Sequence, residues 1–310
     1  MKFTFPLPHL MEIEAMLQPW ELGVTGPDQL RMARRAEELG YDMIGIPEHL
    51  AIPPDDQHTG HFWFHSTTAQ AALAGATQRI RLNSCVTILP LQHPIITAKA
   101  LATADWMSGG RMTVTFGLGS IKNEYEYFGV PHAERGAVAD EYLEAIVALW
   151  TQDKPSFEGK YVNFKDIGFD PKPVQKPYLP IWIGGDSKPA LRRVARFGSG
   201  WIVSFRTAPE EIPERIDYIK SQPTWDGRAL EVSYGLGTSR LTKDHAPSGD
   251  ESARPGLGSQ QIIDALGAYK ELGVTMSSVP IPQVADVDAY LDYAQWVMEE
   301  IKPKLKTQPD

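Results

Sequence analysis

Strand-like and helix-like segments alternate along nearly the whole chain, and this alternation limits the fold more than any other feature. Residues 3–8 read as a strand, and residues 27–39 as a helix opened by Pro27 and Asp28 and stopped by Gly40. Residues 41–46 form the next expected strand. An Ala-rich helix follows over 67–78, then a long apolar strand over 80–91, a helix over 94–107 closed by Gly109-Gly110, and a strand over 111–118. Residues 133–150 carry Val138, Tyr142, Ile146 and Trp150 on one helical stripe. The rhythm breaks at about 155–167, where Phe157, Tyr161, Val162 and Phe164 alternate about Gly159 as in a small hairpin. It resumes with strands at 181–183, 201–205, 231–241 and 275–281 and helices at 187–197, 209–220 and 260–272. A last amphipathic stripe runs from Val287 to Ile301.

Eight such units in 310 residues match an α/β fold of the (β/α)8 TIM-barrel type, with a hairpin insertion and loop insertions, as one domain over 1–310. A doubly wound sheet is the rival. It would place a glycine fingerprint after its first strand, and Pro6-Leu7-Pro8-His9 contains no glycine. The 26 Gly and 25 Pro residues suit the many short connections a barrel needs, and they gather at strand-to-helix junctions such as Gly184-Gly185 and in the excursion at 244–259. Lys and Arg number 30 against 39 Asp and Glu, a net charge of −9, which argues against nucleic acid or an anionic membrane as partner. Cys85 is the only cysteine, so no intrachain disulfide can form. Without a signal-peptide core or an apolar run of spanning length, the chain reads as cytoplasmic.

Catalytic groups of a barrel project from the C-terminal ends of its strands. His9, Glu48-His49, His93, Asn123 and Asp186 stand there in turn. Glu48 and His49 are the most suggestive pair, because a carboxylate beside an imidazole can hold its tautomer. Adjacent strand residues point to opposite faces, so the pair can share a site only if the strand ends first, as Pro47 allows. A helix cap or a solvated turn would use the same residues. His58, His61 and His65 have the spacing of ligands on a helix, but Thr59-Gly60 disfavours one, so no metal site is expected. With Phe62, Trp63 and Phe64 among them, the segment reads instead as an aromatic wall of a substrate pocket or a loop clamp. Gly117-Leu118-Gly119-Ser120 lacks the third glycine of a dinucleotide fingerprint. Ile183-Gly184-Gly185-Asp186-Ser187 runs from a strand end into a helix start, where backbone N–H groups could hold a phosphate.

Several segments together resemble the luciferase-like monooxygenase superfamily, especially its branch dependent on the deazaflavin F420. They include 36–42, 48–53, the run from His93-Pro94 to Gly110-Arg111, Phe128-Gly129-Val130-Pro131, Phe157-Glu158-Gly159, 171–175 and 180–185. The resemblance implies a barrel with F420 or FMN in its mouth. Gly184, Gly185, Asp186 and Ser187 would lie at the phosphate, Asn123 beside the cofactor, and a bulge of strand three at Cys85, Val86 and Thr87 behind the ring. That bulge commonly carries a non-proline cis peptide, which here would fall at Cys85-Val86. Members often have Asp-His after strand two where this chain has Glu48-His49. His49 is then the expected proton donor with Glu48 as its partner, and His9, Phe62 and Trp63 the expected substrate pocket.

With F420 such an enzyme transfers a hydride between the deazaflavin and a small, apolar or ring-bearing substrate. With FMN it would use reduced flavin and O2 as a monooxygenase. The Glu48-His49 strand end and the short chain favour F420. A cofactor-binding barrel without turnover is the alternative of another class. The resemblance also implies a homodimer.

Overall fold

The computed structural model describes residues 1–56, 58–236 and 257–305. In chain order its strands are β1 (Lys2–Pro6), β2 (Met43–Ile46), β3 (Arg81–Ser84), β4 (Thr87–Ile88), β5 (Met112–Gly117), β6 (Phe157–Glu158), β7 (Asn163–Phe164), β8 (Ile181–Gly184), β9 (Gly200–Ile202), β10 (Glu231–Ser233) and β11 (Met276–Ser277). All but β6 and β7 form one parallel sheet, in which β3 and β4 are two halves of a single barrel strand. The sheet closes because β1 pairs with β2 on one side and with β11 on the other. The result is an eight-stranded parallel barrel, as the alternation predicts. The antiparallel β6–β7 pair is the expected hairpin insertion.

The helices are α1 (Gly26–Leu39), α2 (Ser66–Ala76), α3 (Pro94–Ser108), α4 (Lys122–Tyr127), α5 (Arg135–Thr151), α6 (Lys188–Phe197), α7 (Ile212–Lys220), α8 (Ser259–Glu271) and α9 (Val287–Trp296). Their ends follow local chemistry. Thr25 and Asp28 form a reciprocal capping box at the start of α1, and Gly40 closes that helix in the left-handed conformation with φ 83°. Strand alternation then divides the residues between two layers. Phe3 and Phe5 are fully buried towards the helices, where Phe5 meets the rings of Tyr41 and Tyr290.

The opposite faces fill the barrel. Lys2, Arg81 and Glu231 form an ionic layer at its N-terminal end, with the Arg81 guanidinium also over the Trp182 ring. Above them Met43, Trp182 and Met276 pack as an apolar plug. Gly200 supplies the space for that plug, because a Cβ there would strike the Trp182 indole. Thr4 and Gly45 lie above it, with Thr4 Cγ2 3.5 Å from where a Cβ on Gly45 would stand.

Two expectations need revision. The apolar run 80–91 is not one continuous strand: it breaks after Ser84, resumes at Thr87, and ends in a 3-10 turn over Leu89–Leu91. Of the extended segment at 231–241, β10 takes Glu231–Ser233 and residues 237–241 lie outside the described residues, as does most of the excursion at 244–259, with α8 already begun at Ser259. Among the described residues no helix is long and apolar enough to cross a membrane.

Candidate active site

The break in the third barrel strand builds the floor of the mouth. A bulge there is kept open by its neighbours: a Cβ on Gly45 would come within 2.9 Å of Cys85 Sγ, and one on Gly184 within 2.7 Å of Val86 Cγ1. Gly117 is likewise closed by Val86 Cγ2. Three strands thus give up side chains so that a thiol and an isopropyl group can fill the barrel top. The Cys85-Val86 peptide is cis. Both residues are only half-buried, so their side chains offer an apolar surface to whatever occupies the mouth. Burial pushes the Cys85 thiol up to about 12, which keeps that surface uncharged.

His49 stands at the rim, after β2. Its Nδ1 lies 2.7 Å from Oε2 of Glu124, a carboxylate with no exposed surface at the third residue of α4. The other oxygen, Oε1, accepts from the Leu50 and Ala51 N–H groups at 2.7 and 3.2 Å. One carboxylate therefore fixes both the imidazole and the backbone that carries it. An acceptor at Nδ1 places that proton on Nδ1, so in the neutral ring the lone pair lies on Nε2. The Trp63 ring meets the imidazole edge to face at 4.6 Å, so the ring is held in plane as well.

Glu48 does not partner His49, contrary to the sequence expectation. Side chains still alternate past the end of β2, and Glu48 turns into the protein. There its Oε2 accepts from Ser66 N at 2.9 Å and Ser66 Oγ at 2.8 Å, and its Oε1 from Ile88 N at 3.2 Å and Gln92 Nε2 at 2.6 Å. Thr87 is also displaced from its expected place at the ring: it is fully buried and bonds Ser66 Oγ at 3.0 Å, behind the bulge. Asn123 lies on the exposed face of α4, and its neighbour Glu124 takes the inward position. The sequence reading misses Glu124 because it places no element between the strand ending at 118 and the helix starting at 133. A helical repeat over Lys122–Tyr127, with one acid flanked by Asn123 and Tyr125, was the available signal.

The aromatic loop is part wall and part clamp. Trp63 lines the rim, whereas Phe62 is partly exposed and stacks on the His9 ring at 4.5 Å. His9 is turned from substrate towards structure: its Nε2 meets Glu12 at 2.8 Å, its Nδ1 meets the Val24 carbonyl at 3.3 Å, and its backbone N–H donates to Glu21. His61 Nε2 bonds the Pro53 carbonyl, and His65 Nδ1 bonds Thr68 at the start of α2. His49, Leu50, Ile52, His61 and Trp63 are among the residues lining a cavity of about 260 Å³.

On the other side of the mouth, β8 runs through Gly184-Gly185 into α6. Gly185 has φ 105°, a turn that L side chains rarely adopt. Ser187 caps the helix by accepting from Ala190 N. The Asp186 carboxylate is drawn sideways onto Ser204 N at 3.0 Å, while Arg215 holds the Asp186 carbonyl at 2.9 Å. The helix start thus presents its positive end with Lys188 beside it.

Comparison with known proteins gives the family and the fold. The family model "Luciferase-like monooxygenase" matches residues 12–247. An uncharacterized protein of Mycobacterium tuberculosis is 30% identical over 282 residues, covering 84% of this chain and 90% of that one. The FMNH2-dependent dimethylsulfone monooxygenase of Pseudomonas putida is 31% identical over 207 residues, covering 65% of this chain and 55% of that one. Among solved structures, monooxygenase RslO1 from Streptomyces bottropensis superposes with a TM-score of 0.80 at 22% identity, covering 99% and 100% of the two chains. An F420-dependent secondary alcohol dehydrogenase gives 0.75 at 18%, covering 99% of each.

Proposed function

Since this chain belongs to the luciferase-like monooxygenase family, and so is an oxidoreductase, we propose that it is a reduced-FMN-dependent monooxygenase acting on a small organic substrate. The family works with a flavin or a deazaflavin. The observation that carries the choice of FMN is the closer sequence match to a relative named as FMNH2-dependent than to F420-dependent structures, which share the fold. The sequence argument for F420 rested on the Glu48-His49 strand end and the short chain, and Glu48 and His49 do not pair.

The residues fit a flavin. The half-buried floor of Cys85 and Val86, made possible by Gly45, Gly117 and Gly184, suits one face of a flat ring. Gly185, Ser187 and Lys188 at the start of α6 suit its phosphate, since Asp186 is turned onto Ser204. Bound there, the flavin supplies the reducing electrons with which O2 is activated. The protein's own part is to exclude water, orient the substrate and manage protons. His49 Nε2 is the group that accepts or delivers a proton at the rim, with Nδ1 fixed by Glu124. The cavity of about 260 Å³ beside His49 and Trp63 suits a small molecule with an apolar part. The proposal includes a homodimer: α3 leaves Ile96, Trp106 and Met107 exposed, and light scattering should give twice the chain mass.

Anaerobic titration with reduced FMN and reduced F420 in parallel tests the cofactor. FMN should bind at least tenfold more tightly. Tighter binding of F420 would overturn the reading.

A further inference from the structure

We infer that Glu48 is a positioning residue that holds the cofactor floor in register with His49. Its carboxylate is buried, with no exposed side-chain surface, and four donors converge on it. They come from three separate parts of the chain. Ser66 gives its N–H and hydroxyl from the start of α2, Ile88 gives its N–H from β4 just past the bulge, and Gln92 gives its amide from the turn before α3. Ser66 Oγ also reaches Thr87 Oγ1 at 3.0 Å, so the far side of the bulge is tied twice to the same centre. Glu48 therefore pins β4 to the end of β2. The next residue along is His49, which is pinned the opposite way, to α4.

This arrangement separates two tasks. Glu124 governs the imidazole, whereas Glu48 governs the height and tilt of Cys85 and Val86 relative to it. A carboxylate suits the second task because each of its oxygens accepts two bonds here, whereas an amide has one accepting oxygen and would set its NH2 against two of the donors. Loss of these bonds should free the bulge without unfolding the barrel, since the β3–β2 and β5–β8 pairings do not depend on them.

The inference rests on the flavin reading for its binding arm and is independent of it for the other. The experiment compares wild type, Glu48→Gln and Glu124→Gln as full-length protein. Hydrogen exchange without cofactor should show faster amide exchange in Glu48→Gln at residues 85–92, and unchanged exchange in β1 and β5. FMN titration should show a Kd at least tenfold higher for Glu48→Gln, with the pH profile of kcat unmoved. Glu124→Gln should move the pH profile and leave the Kd within threefold. If Glu48→Gln does not fold, Gln92→Ala removes one donor and should raise the Kd about threefold in the same direction. Unchanged exchange at 85–92, or an unchanged Kd in a wild type that binds FMN, overturns the inference. A wild type that binds no FMN, with exchange faster only at the bulge, overturns the flavin reading and leaves the positioning role standing.

Discussion

In the proposed function His49 handles the proton, and its bond to Glu124 gives a sharp expectation. In Glu124→Gln the amide oxygen can still accept from Leu50 and Ala51, so the rim should keep its shape. The NH2 then faces Nδ1, which must accept, and the neutral ring carries its proton on Nε2 instead. We expect kcat to fall about 100-fold, in the range that general acid-base groups contribute. Nitrogen NMR of the ring should show the opposite tautomer. Cys85 gives a second expectation. With its thiol pushed up to about 12 by burial, Cys85 forms little thiolate at pH 8, so disulfide reagents should modify it more slowly than the unfolded chain. At this scale the sequence was partly legible. His49 was singled out by its place after a strand, but its partner was sought next door, and the partner stands 75 residues away in a helix too short to stand out.

The elements show where pattern reading holds and where it fails. Helices with strong ends, such as α1 between Thr25 and Gly40, lie close to their expected bounds. The run 80–91 carries only Asn83-Ser84 as a turn signal before its break, and the strand-like Cys85, Val86 and Thr87 that follow outweigh it. The reason for the break lies in other strands, at Gly45, Gly117 and Gly184. From the residues alone those glycines look like ordinary turn or strand positions; only the resemblance pointed to a bulge there. They make the bulge testable. Gly184→Ala sets a Cβ against the stiff, β-branched Val86, which cannot swing aside cheaply, and overpacking of this kind costs about 1–3 kcal/mol. Thermal unfolding should reveal that loss, and FMN affinity should fall with it. An equal affinity in a folded Gly184→Ala variant would count against the floor assigned to Cys85 and Val86.

For the whole molecule, the ionic layer at the base and the open mouth are two ends of one barrel. Burial would raise the Glu231 carboxyl, but Arg81 and Lys2 beside it hold it below the usual range. A carboxyl lowered in the folded state adds stability above its ordinary value, and that stability is lost as pH falls through the folded value. The melting temperature should therefore drop as pH falls below about 4.5, and Glu231→Gln, already without the charge, should show a shallower drop. Such a base is far from His49, so activity at neutral pH should be nearly unaffected in a variant that folds. The barrel itself was legible from the eightfold alternation, since parallel strands need covering helices and a closed ring satisfies both edges. The cofactor was less legible, because an FMN-bound enzyme and an F420-dependent one share this fold.

The most direct test is a crystal structure of the protein grown with FMN. It should show the ring against Cys85 and Val86, His49 at its edge and the phosphate at the start of α6. A flavin bound elsewhere, or a mouth that rejects FMN and admits F420, would contradict this account.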